Sequence, residues 1–217
     1  MMKIKFKCSI CNERAFSVVS TRGYEFTIEK VVRCSNCGLI QLFPSEVEED
    51  AQYYASGRFN HEFRKFSTPT ERDIEIYTKD AQKRLGVMRA VLGDEVSNKR
   101  FLEIGCGFGS LINLMISEFG SICVGIDPSH GLASFGNKLY GLNCLEEGHY
   151  EDKKFSNLGT FDFILFYQVI EHIQNLELFF TRLERNSKPN TRLVVEFPDI
   201  GAALDRRPFL RSTYFQK

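Results

Sequence analysis

The stretch Phe101-Leu102-Glu103-Ile104-Gly105-Cys106-Gly107-Phe108-Gly109 constrains this chain more than any other. An apolar run ends in an acidic residue and a Gly-x-Gly-x-Gly turn. A short distance on, Val124-Gly125-Ile126-Asp127-Pro128 repeats the pattern, an apolar run closed by a lone carboxylate. Glycines let a backbone approach a ligand closely, and a carboxylate at a strand end accepts hydrogen bonds from ribose hydroxyls. The pair predicts a parallel α/β sheet that holds a nucleoside-bearing cofactor.

The flanking sequence has the same alternation. Residues 73–92 place Ile74, Tyr77, Ala81, Leu85, Met88 and Leu92 at a helical period ended by Gly93. Strands are expected at 100–104, 122–126, 143–145, 161–166 and 192–197. Helices are expected at 110–119, 131–140 and 176–186. Repeated β-α order requires a parallel sheet covered on both faces. Its ligands lie beyond the carboxyl ends of the strands, where a helix N-terminus also points.

Composition limits the partners. The 217 residues suffice for one full domain and a small appendage. Lysine and arginine total 28 and aspartate and glutamate 28, so the basic excess of a nucleic-acid-binding protein is absent. No apolar run approaches the length of a membrane helix. The start, Met1-Met2-Lys3-Ile4-Lys5-Phe6-Lys7, alternates charge with apolar residues and has no signal-peptide core, so a cytoplasmic protein is expected.

Seven cysteines in such a chain suggest metal before disulfides. Four of them form Cys8-x-x-Cys11 and Cys34-x-x-Cys37, separated by alternating segments that read as short strands at 24–28 and 30–33. Each pair presents two thiolates about one tetrahedral edge apart, so Cys8, Cys11, Cys34 and Cys37 are the expected zinc ligands of a small β ribbon. A redox dithiol would explain one pair but not both. The expected organisation is a ribbon at 1–44, a linker at 45–72 and the α/β core at 73–217. The linker carries the acidic run Glu46, Glu48, Glu49, Asp50 and then Tyr53-Tyr54. These tyrosines either pin the linker or line a substrate mouth, and packing is the commoner use.

A nicotinamide fingerprint needs Gly or Ala at position 110, where this chain has Ser110, and it has no acidic residue two before its first glycine. Glu103 through Gly109 instead resembles the first motif of the class I S-adenosylmethionine-dependent methyltransferases, an acidic residue followed by x-Gly-x-Gly-x-Gly. Asp127 is similar to their second motif. Phe161-Asp162-Phe163-Ile164-Leu165, Val169-Ile170-Glu171-His172-Ile173 and Leu193-Val194-Val195-Glu196-Phe197-Pro198 resemble the family's later segments. Cys34 through Pro44 and the paired tyrosines are similar to a bacterial subgroup with an N-terminal zinc-binding domain, which includes C-methyltransferases of nucleotide-linked deoxysugars.

That resemblance implies a Rossmann-like, doubly wound sheet of strand order 3-2-1-4-5, S-adenosylmethionine and Zn2+ as cofactors, and a small-molecule acceptor. It implies that Glu103, Gly105, Cys106, Gly107 and Gly109 form the cofactor loop, with the backbone at Gly105 and Gly107 on the methionine part. It also implies that Asp127 holds the ribose, that Pro128 lies on the adenine, that His149 and Tyr150 flank the adenine, and that Gln168 lies under the sulfonium. His172 is the first candidate base, because imidazole titrates near neutrality, and Glu171 the second. His172 reads at least as well as a helix-start histidine bonded to backbone. His61 is a remote third candidate, and His130 reads as a surface residue. Cys123 and Cys144 read as buried small groups. The complete fold adds an antiparallel pair after strand five. The segment 200–217 is short for it, so the expectation is an incomplete sheet or an edge covered by a partner. The rival readings are an RNA methyltransferase whose ribbon reads RNA, and a non-catalytic remnant that binds cofactor or another protein.

Overall fold

The computed structural model describes residues 6–20, 30–43, 56, 58, 61, 68–173 and 175–197. The chain divides into two compact units, the smaller built on residues 1–47 and the larger on residues 48–173 and 178–197.

In the smaller unit, β1 (Phe16–Ser20), β2 (Lys30–Cys34) and β3 (Ile40–Phe43) form an antiparallel sheet in that order. The two Cys-x-x-Cys turns share one geometry. The Asn12 N–H donates to Cys8 O (3.0 Å) and the Gly38 N–H to Cys34 O (3.1 Å). Cys8 and Cys34 in turn donate to Glu13 O and Leu39 O, both at 2.8 Å. Closing each turn needs a residue at positive φ just after the second cysteine, 58° at Asn12 and 77° at Gly38. Asparagine and glycine are the residues that tolerate it. The strand expected at 24–28 and the tyrosines at 53–54 lie outside the described residues.

The first helix of the larger unit with described bounds is α1 (Glu71–Leu92), which starts two residues before its expected start. Thr70 and Asp73 form a capping box there. The Asp73 N–H donates to Thr70 Oγ1 at 3.3 Å, and the Thr70 N–H to Asp73 Oδ2 at 2.8 Å. Then follow β4 (Arg100–Ile104), α2 (Ser110–Phe119), β5 (Ile122–Asp127), α3 (Leu132–Tyr140), β6 (Leu145–Glu147), β7 (Phe161–Tyr167), α4 (Leu176–Arg185) and β8 (Ser187–Glu196). The sheet is parallel throughout, in the order β6-β5-β4-β7-β8, which is the expected 3-2-1-4-5.

Side chains alternate across the sheet, so each strand supplies two cores. On one face Phe101 stacks on Phe163 at 4.8 Å, and both join Ala81, Leu85 and Met88 of α1 and Leu111, Ile112 and Met115 of α2. On the other, Leu102, Ile104, Ile126, Ile164 and Phe166 meet Phe179 and Leu183 of α4. Two strands differ from expectation. β6 lies two residues later than 143–145, because a three-residue strand has too little pattern to fix its bounds. β8 begins at Ser187 rather than near 192, since its pairing with β7 jumps from Phe161–Ser187 to Phe163–Arg192. The Lys188 N–H bonded to Thr191 Oγ1 at 2.8 Å closes the excursion. Among the described residues no helix is long and apolar enough to cross a membrane.

Candidate active site

The loops after β4, β5 and β6 converge on Asp127. Its Oδ2 accepts the Gly107 N–H at 2.7 Å and its Oδ1 accepts the Ser129 N–H at 2.8 Å. Its carbonyl oxygen accepts the Gly148 N–H at 2.9 Å. The glycine turn is tied to the same strand, since Gly105 and Cys106 both donate to Ile126 O, at 2.7 and 3.2 Å. Gly107 has φ 57°, and Gly109, at φ 77°, leads into α2 with no side chain capping that helix. The free end of α2 therefore carries its partial positive charge toward the turn.

The turn is tightly enclosed by protein. A Cβ on Gly105 would collide with Val169 Cγ2, and one on Gly109 would lie 2.7 Å from Leu145 Cδ1. The first of these contacts seats the segment after β7 directly on the glycine turn. Glu103 lies on β4 between Gly125 and Leu165 of the neighbouring strands. It is 4% exposed, and its Oε2 is a buried acceptor with no hydrogen-bond partner among the described residues. Burial pushes the Glu103 carboxyl up to about 8; Arg84 opposes this and the charge of Asp127 adds to it. Burial likewise raises the Cys106 thiol, a small buried group and no nucleophile.

The other expected site residues are distributed as follows. Pro128 is half-buried next to Asp127, and His149 is half-buried, its N–H donating to Asp152 Oδ2 at 3.0 Å. Tyr150 corrects an expectation. Its ring is 3% exposed and packs against Phe179, and its O–H donates to Asn186 Oδ1 at 2.6 Å, so the side chain belongs to the core and not to a ligand surface. Glu171 is exposed and His172 half-buried, in the single turn Ile170–His172, where the His172 N–H donates to Val169 O at 2.9 Å. His61 is exposed. His130 is on the surface, its Nδ1 3.0 Å from Glu147 Oε1. Cys123 is buried and Cys144 half-buried.

Gln168 follows β7 at φ 56°. Its N–H donates to Glu196 O at 2.7 Å and its Nε2 to Glu196 Oε1 at 3.3 Å. Two tethers were not foreseen from the sequence. Glu147 Oε2 accepts the Gly131 N–H at 2.7 Å and so anchors the start of α3, and Arg84 reaches Glu196 from α1 at 2.8 Å. An acidic residue closing β6 was a legible signal for the first. The second spans 112 positions and had none.

In the smaller unit the sulfur atoms of Cys8, Cys11, Cys34 and Cys37 lie within 4.8 Å of one another, with Cys8–Cys37 and Cys11–Cys34 at 3.5 Å. Four thiolates around a tetrahedral zinc with bonds of about 2.3 Å sit about 3.8 Å apart, so the donor set and its spacing fit that ion. In the larger unit the unpartnered Glu103 oxygen, the uncapped helix end and the strand-end Asp127 fit a ligand with a ribose and a charged amino-acid part.

Comparison with known proteins gives three further findings. The profile of a family described as a methyltransferase domain matches residues 77–216. A 99-residue stretch is 32% identical to the ubiquinone biosynthesis O-methyltransferase of Rhizobium etli, covering 44% of this chain and 40% of that protein. A 102-residue stretch is 30% identical to the norajmaline N-methyltransferase of Rauvolfia serpentina, covering 45% of this chain and 35% of that one. The chain thus spans less than half the length of these curated relatives. Among solved structures, the PH0226 protein of Pyrococcus horikoshii shares the fold with a TM-score of 0.55 at 22% identity, over 67% of this chain and 69% of that one.

Proposed function

This chain belongs to the class I S-adenosylmethionine-dependent methyltransferases, its residues 77–216 matching a methyltransferase domain, and from that membership we propose that it methylates a small-molecule acceptor. Nucleotide-linked sugars are the first acceptor class to try. The relatives named for ubiquinone biosynthesis and norajmaline support a small molecule, as does the balance of 28 basic against 28 acidic residues. The observation that carries the reading is the Gly107 N–H to Asp127 Oδ2 bond, which brings the glycine turn and the strand-end carboxylate to one place.

When bound, S-adenosylmethionine supplies a methyl group already activated by its sulfonium. The rest falls to the chain's own residues. Each Asp127 oxygen takes one backbone N–H and keeps acceptor capacity for a ribose hydroxyl. Pro128 would offer an apolar surface to the adenine, and His149 would flank it, its neighbour Gly148 being tied to Asp127 O at 2.9 Å. The uncapped end of α2 suits the carboxylate of the methionine part, and Glu103 Oε2 is an acceptor for its N–H donors. His172 would remove a proton from the acceptor atom, with Glu171 as second candidate. In the ribbon, Cys8, Cys11, Cys34 and Cys37 would hold Zn2+. Four thiolates leave no open position, so the ion would fix structure and carry no reaction.

Titration calorimetry of the 217-residue chain with S-adenosylmethionine and S-adenosylhomocysteine tests cofactor binding. Turnover across a panel of nucleotide sugars and phenolic or amine acceptors tests the acceptor. Binding of neither ligand would refute the reading.

A further inference from the structure

Gln168 is held in a way that stability does not explain. It is one of three non-glycine residues at positive φ among the described residues, a conformation that crowds a Cβ against the backbone and that side-chain-bearing residues rarely adopt. Glu196, the last residue of β8, is paired with Tyr167, the last of β7. From there its carbonyl oxygen takes the Gln168 N–H at 2.7 Å and its carboxylate takes Gln168 Nε2 at 3.3 Å. The carboxylate is itself held by Arg84 Nη2 at 2.8 Å. Arg84 lies 4.4 Å over the Tyr167 ring, and the Tyr167 O–H donates to Met88 Sδ at 3.5 Å, so two successive turns of α1 grip the end of β7. Burial alone would raise Glu196, yet the Arg84 and Gln168 contacts hold its carboxyl below the usual range. An ion pair whose side chains are 29% and 45% exposed contributes little stability. Strained backbone persists where the surroundings enforce it, and such residues gather at functional sites.

The location supplies the purpose. Val169, the next residue, is packed on Gly105 of the glycine turn. With its nitrogen committed to Glu196, the Gln168 amide has its oxygen as the end left to act as acceptor. We propose that Glu196, held by Arg84, is a positioning residue that keeps Gln168 in this turn and aims its amide oxygen at the sulfonium of the cofactor. This rests on the methyltransferase reading given above. An oxygen dipole aimed there favours the charged sulfonium over the neutral thioether that remains after methyl transfer, so the brace makes the site prefer substrate over product.

The test measures affinity for S-adenosylmethionine and S-adenosylhomocysteine in the full chain and in Glu196→Ala, Glu196→Gln, Gln168→Ala and the double variant Glu196→Ala/Gln168→Ala. Glu196→Ala should weaken S-adenosylmethionine about tenfold and S-adenosylhomocysteine about twofold or less, the loss expected of one ion–dipole contact. Glu196→Gln keeps an acceptor oxygen for the Gln168 amide and should stay within about threefold of the parent for both ligands. The double variant should be no weaker than Gln168→Ala, because the two residues act through one contact. Should Glu196→Ala fail to fold, Arg84→Met, which keeps the stem of the side chain on Tyr167, is expected to narrow the preference in the same direction. Equal losses for the two ligands, or losses that add in the double variant, would overturn the brace alone. A parent chain that binds neither ligand would overturn the brace together with the reading beneath it.

Discussion

Asp127 Oδ2 accepts the backbone N–H of Gly107 across 2.7 Å, although the two residues are 20 positions apart, one in the turn after β4 and the other at the end of β5. Its other oxygen accepts the Ser129 N–H, so both oxygens act as acceptors toward backbone. Asp127→Ala should weaken S-adenosylmethionine binding about 100-fold, the loss of two charge-assisted contacts. Asp127→Asn should be nearly as damaging, because its amide NH2 must face one of two N–H donors. Calorimetry on both variants checks this, and full affinity in Asp127→Asn would contradict it.

Glu103 predicts a pH dependence of stability. Burial raises its carboxyl from 4.5 to about 8, so the folded chain keeps a proton that the unfolded chain releases in that window. The native state then binds more protons than the unfolded one, and stability falls as pH rises from 4.5 to about 8. Below the lower value the group is neutral in both states and contributes no slope. Glu103→Gln removes the titration, so the variant should gain on the parent steadily as pH climbs through the window. Urea unfolding of both proteins at several pH values measures the difference, and a constant difference would count against it.

The approach of α3 to the glycine turn leaves no room at Gly136. A Cβ there would collide with the carbonyl oxygen of Phe108 and lie 2.7 Å from Leu145 Cδ1. Backbone cannot swing aside as a side-chain end can, so Gly136→Ala should destabilise by about 2–3 kcal/mol, read from urea denaturation.

Gln168→Gly separates stability from binding. Glycine carries no penalty at the φ of 56° found there. The variant should therefore unfold no more easily than the parent, while its affinity for S-adenosylmethionine falls about tenfold with the loss of the amide. A variant both less stable and unchanged in affinity would reverse both expectations.

The four-cysteine cluster predicts about one zinc per chain, released by a strong chelator. Removal should expose the amides of β1, β2 and β3 to hydrogen exchange, and Cys11→Ser should abolish stoichiometric metal in the purified protein. A chain that retains protected strands without zinc would rule out a structural metal.

What the sequence revealed follows the range of each interaction. The β4–turn–α2 unit was legible because its strand, glycines and helix stripe are contiguous, and both Cys-x-x-Cys pairs announce themselves by spacing. The strand order followed from the family resemblance. Tyr150 was misplaced because its partner Asn186 lies 36 residues on, and nothing near position 150 signals that the ring turns inward. The raised Glu103 carboxyl depends on burial by strands on either side, which no local pattern records. The Glu147 tether could have been read from an acidic strand end, whereas the grip of Arg84 on Glu196 could be seen only once α1 was packed beside β8.

The two backbone bonds on Asp127 have a kinetic consequence. A carboxylate already clasped by Gly107 and Ser129 has its rotamer fixed when the chain folds. Its ribose-recognition end is then preorganised, and capture of a nucleoside there loses little side-chain entropy and waits on no rearrangement of this residue. Association should accordingly proceed in a single phase whose rate rises linearly with ligand concentration.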